Sequence, residues 1–196
     1  AGTNGKGSVA AMLEGIYRAA GLRVGLYTSP HLVSFRERIQ INRQLISETD
    51  VVRWVEQLRQ VGGIGVPPVS EPGPAGILPN EMADRRDACP TFFEFVTVMA
   101  LCHFAEQGCD LVIWETGLGG RLDATNIVTP LLSVITNIEQ DHQHWLGHDL
   151  RGIAGEKAGI IKPDVPVVTA TTEPEALAVI QETALARRSP LTLVTP

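Results

Sequence analysis

Gly2-Thr3-Asn4-Gly5-Lys6-Gly7-Ser8 stands directly ahead of a stretch with helical periodicity, and its reading decides the fold. A glycine-rich turn leading into a helix presents unpaired backbone N–H groups and the positive end of the helix dipole. Both favour bound phosphate. Lys6 adds a mobile positive charge for the outer phosphates of ATP, and Ser8 offers a hydroxyl to a phosphate oxygen or to Mg²⁺. The spacing departs from the common G-x-x-x-x-G-K-[ST] pattern, because Gly7 separates the lysine from the hydroxyl residue. A loop of this kind ordinarily follows a buried strand, and here only Ala1 precedes it. The expectation is a phosphate site that lacks its upstream strand.

Working outward, Val9, Met12, Leu13, Ile16 and Ala20 recur at helical spacing, with Gly21 as a stop. Residues 22–28 read as a strand ending in Ser29-Pro30-His31, and residues 46–61 as a helix. Residues 62–90 hold many prolines and glycines without a sustained period, which predicts a flexible loop or insertion. Order resumes with an apolar helix over 92–107, a strand over 110–114, a glycine-rich turn over 115–126 and a strand over 131–136. A helix near 149–161, a strand at 165–169, a helix at 173–188 and a strand at 191–194 follow. Strands alternating with helices imply right-handed βαβ units, a mostly parallel sheet and a three-layer α/β domain.

The chain has 196 residues, of which 44% are apolar and 19% charged, as expected of one ordinary globular domain. A formal charge of −6 argues against nucleic acid or an anionic membrane as partner, since either calls for a basic face. Cys89, Cys102 and Cys109 are odd in number and form no C-x-x-C pair, which favours a reducing, cytoplasmic setting over disulfides or zinc.

Ligands of open α/β sheets sit at the carboxyl ends of the strands. The phosphate loop, Ser29, Glu115 and the pair Asp141-His142 all occupy such ends and are expected to share one mouth. Oxygen from Ser29 and Glu115 suits Mg²⁺, and a neutral imidazole at His142 can complete or bridge a second ion. Arg121, Asp123 and Asn126 crowd the glycine turn and favour a ligand contact. Lys157, beside Glu156 on a small-residue helix, reads from composition as half of a solvent-facing charge pair. His103, within the apolar helix, reads as structural.

Six motifs then appear in order: the phosphate loop, Thr28-Ser29-Pro30-His31-Leu32, Thr91-Phe92-Phe93-Glu94, Glu115 through Asn126, Asp141-His142, and Glu156-Lys157-Ala158-Gly159-Ile160. Together they resemble folylpolyglutamate synthase and the bifunctional dihydrofolate synthase of the Mur ligase superfamily. The glycine between Lys6 and Ser8 is that family's own form of the loop.

The resemblance implies a central P-loop ATPase domain over 1–196, short of its first strand and of the family's Rossmann-like C-terminal domain. It implies ATP-dependent amide formation between a folate or dihydropteroate carboxylate and L-glutamate, through an acyl phosphate, in a monomer. Carried over, Asn4, Gly5, Lys6, Gly7 and Ser8 hold ATP, and Ser29, Glu115 and His142 are Mg²⁺ ligands. Thr91, Phe92, Phe93, Glu94, Leu122, Asp123 and Ala124 match segments that contact the pteridine-bearing substrate. Lys157 matches a carbamylated lysine, which reverses its composition-only reading; with Lys6 and His142 it makes up the implied catalytic set. The alternatives are a peptidoglycan-precursor ligase of the same superfamily and a nucleotide-binding module without activity.

Overall fold

The computed structural model describes residues 1–62, 90–139 and 150–194. Residues 63–89, which include Cys89 and nearly all of the expected loop, lie outside them, as do Asp141, His142, His144 and His148. Helix α1 (Lys6–Ala19) leads to β1 (Val24–Tyr27), a 3-10 turn (Phe35–Arg38), β2 (Ile39–Ile41) and β3 (Gln44–Leu45). Then come α2 (Glu48–Gly62), α3 (Phe92–Glu106) and β4 (Leu111–Trp114). The remaining elements are β5 (Ser133–Ile135), α4 (Leu150–Ala158), β6 (Val167–Thr169), α5 (Pro174–Ala186) and β7 (Leu191–Leu193).

The expected α/β alternation is present, arranged as two sheets among the described residues, in the orders β3-β2-β1-β4 and β5-β6-β7. β1 runs parallel to β4, with Val24 opposite Leu111 and Tyr27 opposite Trp114. β5, β6 and β7 are likewise parallel. The antiparallel hairpin β2–β3 on the outer edge of the first sheet is an addition that the alternation did not predict. Its two-residue turn puts Asn42 and Arg43 at positive φ, of 49° and 68°. Asn-Arg carries a weaker turn signal than Asn-Gly, and that is why the hairpin escapes a reading by pattern.

Alternation along β1 divides its side chains between two helical layers. Gly25 and Tyr27 face α3, where a Cβ on Gly25 would lie 2.9 Å from the Phe104 ring. Tyr27, Ile39, Val96, Met99, Ala100 and Phe104 form the core on that side. Tyr27 stacks on Trp114 at 4.5 Å and shares a hydrogen bond of 3.0 Å with Thr97 Oγ1. The second sheet packs on α4 and α5 through Ile135, Ile153, Ala158, Val167, Ala176 and Ile180.

Helix α1 corrects one expectation. Met12 and Ile16 are exposed, and its buried residues are Ala10 and Glu14. Glu14 is 0% exposed and accepts from Arg18 Nε at 3.0 Å and from Arg43 Nε at close range. The hairpin supplies Arg43, so a carboxylate at a core position is intelligible only once the hairpin is known. Removing one partner of a buried carboxylate costs more than the pair contributes, because the remaining charge stays desolvated. Arg43→Ala is therefore expected to destabilise the chain by about 2 kcal/mol in urea unfolding. Adding Glu14→Gln to that variant should recover part of the loss.

Candidate nucleotide site

Gly5 takes the N-cap of α1 with φ of 79°, a left-handed conformation that glycine adopts without strain, and no side chain caps the helix there. The first-turn N–H groups are thus left to an anion. The strand end beside it anchors the loop. Thr3 N donates to Asn137 O at 2.8 Å, Asn4 N to Asn137 Oδ1 at 2.8 Å, and Thr136 Oγ1 to Asn4 O at 2.6 Å. Asn137 opens a polar stretch that the sequence places at a strand end, whereas Thr136 was not singled out; its one available signal is a hydroxyl at the end of a short apolar strand.

Two ammonium groups meet at one carbonyl. Lys6 Nζ and Lys157 Nζ each donate to Gly2 O at 3.0 Å. Lys157 is only 8% exposed, which overturns its reading as half of a solvent-facing pair. Glu156 pairs instead with Arg121, at 2.8 Å.

Glu115 extends the β1–β4 ladder by donating its N–H to Tyr27 O at 3.0 Å. Its carboxylate accepts from Ser29 N at 3.2 Å, and a Cβ on Gly7 would lie 3.8 Å from Glu115 Oε1. The structure therefore joins the phosphate loop, Ser29 and Glu115 as expected, and adds Lys157 to them. Burial raises the Glu115 pKa above the usual carboxylate value, while the Ser29 N–H and the Lys6 charge oppose the rise. A buried carboxylate beside a phosphate loop is a suitable donor for Mg²⁺, which prefers anionic oxygen and shares its shell with phosphate.

The sign of that shift gives a test. A carboxyl whose folded pKa is raised binds more protons folded than unfolded. Its contribution to stability is present below the unfolded value and is lost as pH rises through the folded one. Glu115→Gln keeps an acceptor for Ser29 N–H and removes the charge. Thermal melts without metal should show the variant gaining on the parent between pH 4 and pH 8, with the gap closing at the acid end.

The remaining candidates make local contacts of their own. Thr91 and Glu94 satisfy each other at the start of α3, with Thr91 N donating to Glu94 Oε2 at 2.7 Å and Glu94 N to Thr91 Oγ1 at 3.2 Å. Phe93 lies against the glycine turn, since a Cβ on Gly117 would be 2.6 Å from its ring. Phe92 is exposed, edge-on to Phe35, with the Arg38 guanidinium 5.9 Å from its ring centre. Asp123 tightens the turn by accepting from Leu118 N at 2.8 Å and Thr125 N at 2.9 Å; Leu122 is exposed and Ala124 opens the next 3-10 turn. His31 accepts from Arg38 Nε at 2.8 Å. Buried His103 approaches Asp50 and Glu106 closely enough for a shared ion, but Arg53 already binds both carboxylates, at 2.9 and 2.5 Å. No described helix is long and apolar enough to cross a membrane.

No protein-family model matches the chain. It is 45% identical over 192 residues to the dihydrofolate synthase/folylpolyglutamate synthase of Bacillus subtilis, covering 97% of this chain and 40% of that protein. The crystal structure of folylpolyglutamate synthase from Thermotoga maritima superposes with a TM-score of 0.82 at 42% identity, over 98% of this chain and 40% of that one. An FPGS–AMPPCP–folate complex superposes with a TM-score of 0.82 at 37% identity, over 98% and 43%. The chain thus spans about two fifths of the length of these relatives. Across that span, sequence and fold match those of the folylpolyglutamate synthase/dihydrofolate synthase family.

Proposed function

We propose that this chain carries the nucleotide site of an ATP-dependent ligase that joins a folate or dihydropteroate carboxylate to the amino group of L-glutamate. The observation that supports this reading best is the meeting of the phosphate loop, Glu115 and Lys157 at one mouth. The relative with AMPPCP and folate bound adds the substrate class.

In this reading the N–H groups of Asn4 to Ser8 and the Lys6 ammonium hold the ATP phosphates. The substrate carboxylate attacks the γ-phosphorus, the bond to the bridging oxygen breaks, and its electron pair leaves with ADP. The neutral amine of glutamate then attacks the acyl phosphate carbon, expels inorganic phosphate and gives up a proton. Lys6 and the loop N–H groups contribute by neutralising charge that moves during the first step. Ser29, Glu115 and His142 would hold Mg²⁺, which supplies further neutralisation of the phosphates when bound. Lys157 takes up CO₂ as its neutral amine, loses a proton and becomes an anionic oxygen donor. Thr91, Phe92, Phe93 and Glu94, with Leu122, Asp123 and Ala124, border the pteridine-bearing substrate. The chain acts as a monomer.

Phosphate release from ATP tests the reading. Release should require glutamate together with dihydropteroate or tetrahydrofolate. Nucleotide binding with no release dependent on either acceptor would instead favour a nucleotide-binding module without ligase activity.

A further inference from the structure

We infer that Asp50, His103 and Glu106 form a site for a borderline-soft divalent cation such as Zn²⁺, which ties the start of α2 to the end of α3 and displaces the Arg53 guanidinium. One ligand atom from each of the three residues lies within 4.8 Å of the other two. Zn²⁺ bound at ~2.1 Å keeps its ligand atoms about 3.4 Å apart, so side-chain movement of ~1 Å closes the site.

The donors come from two helices. His103 and Glu106 stand three residues apart in the last turn of α3 and share one face of it. Asp50 lies in the first turn of α2, where Ser47 Oγ donates to its Oδ2 at 2.6 Å and Oδ1 faces Arg53. A hydroxyl that fixes one carboxylate oxygen while the other faces the ion is a common support for a metal ligand. One imidazole and two carboxylates, with water completing the shell, suit Zn²⁺, whereas Mg²⁺ prefers oxygen alone.

His103 sets this cluster apart from a group of surface acids. It is 5% exposed, and burial pushes its pKa below the usual histidine value, so the imidazole is neutral at pH 7. Trp54 Nε1 donates to its Nδ1 at 3.4 Å, which is long for such a bond. A metal that takes over this imidazole therefore gives up little.

Arg53 marks the place where positive charge belongs. Its guanidinium donates to Asp50 Oδ1 at 2.9 Å and to Glu106 Oε1 and Oε2 at 2.8 and 2.5 Å. All three side chains are partly exposed, and ion pairs of that exposure are weak. Two carboxylates facing one guanidinium also leave a negative charge that a divalent ion neutralises. Once displaced, the guanidinium keeps a resting place over the Trp54 ring, 4.5 Å from its centre.

The site sits at the opposite end of the first sheet from the phosphate loop. α3 ends beside the amino ends of β1 and β4, where Arg23 donates to Gln107 Oε1 at 2.9 Å, whereas Glu115 follows the carboxyl end of β4. The ion is thus a clasp between two helices, and the inference needs no part of the reaction proposed above.

Zinc titration of the whole chain in saturating Mg²⁺ tests it, followed through the indole N–H signals in ¹H–¹⁵N spectra, with Trp54→Phe identifying the Trp54 signal. That signal should shift to saturation with Zn²⁺. Arg53→Gln should tighten the titration at least threefold, because the competing cation is gone. His103→Gln and the more exposed Asp50→Asn should each weaken it at least tenfold, and the second keeps the test open where the first fails to fold. A Trp54 signal that Zn²⁺ leaves in place would overturn the proposal. So would a titration unchanged in Asp50→Asn, or one that Arg53→Gln fails to tighten.

Discussion

Lys6→Ala is expected to weaken Mg·AMPPCP binding on the order of 10- to 150-fold in isothermal titration, with little change in melting temperature. Lys6 Nζ hydrogen-bonds Gly2 O at the base of the phosphate loop, so its charge is already positioned where phosphates would lie. Charge-assisted hydrogen bonds contribute about 1.5–3 kcal/mol, and about 1.4 kcal/mol corresponds to a factor of ten. The fold itself needs little from this lysine. The loop is held by backbone and side-chain bonds to Asn137 and Thr136, none of which involves Lys6. A variant that lost stability and affinity together would mean that Lys6 is a scaffold residue.

Gly159→Ala should be strongly destabilising. A Cβ there would stand 2.3 Å from Arg121 Cβ and 2.6 Å from Arg121 Cα, so backbone as well as side chain would have to shift. That backbone is tied down, with Arg121 N donating to Glu156 O at 2.7 Å and Asn126 Nδ2 to Gly159 O at 3.2 Å. Overpacking of this kind costs about 3 kcal/mol, which lowers the melting temperature by roughly 6–12 °C in a chain of this size. Gly155→Ala, within α4 and one turn ahead of Gly159, is the control. Nothing lies within 4 Å of its added Cβ, and alanine favours the helix, so a gain of about 0.5–1 kcal/mol is expected. Calorimetric melts of the pair separate a close approach at Gly159 from a general tolerance of α4.

The contrast between those glycines shows what the sequence made legible. The small residues from Ala154 to Gly159 announced a helix, but not that Gly159 lies against Arg121. The βαβ order was readable because its apolar runs are local. Hairpin β2–β3 was not, because an Asn-Arg turn lacks the glycine that marks most tight turns. Missing the hairpin also hid the partner of Glu14, and so the buried face of α1 was misread.

At the site, Gly2 to Ser8, Ser29 and Glu115 were legible because strand ends in an α/β sheet share a mouth. Lys157 illustrates the limit of composition. Its neighbour Glu156 turns to Arg121, and only the packed structure reveals that Lys157 reaches Gly2 O. The anchoring role of Thr136 and Asn137 depends on backbone register, which no local pattern encodes.

The central claim is that the loop and Glu115 together bind a metal–nucleotide complex. Its most direct test is the affinity of the parent chain and of Glu115→Gln for AMPPCP, each measured with and without Mg²⁺. The parent should bind at least tenfold more tightly with Mg²⁺ present, and Glu115→Gln should lose most of that difference while keeping the weak metal-free affinity. Equal stimulation by Mg²⁺ in both proteins, or none in the parent, would contradict the account.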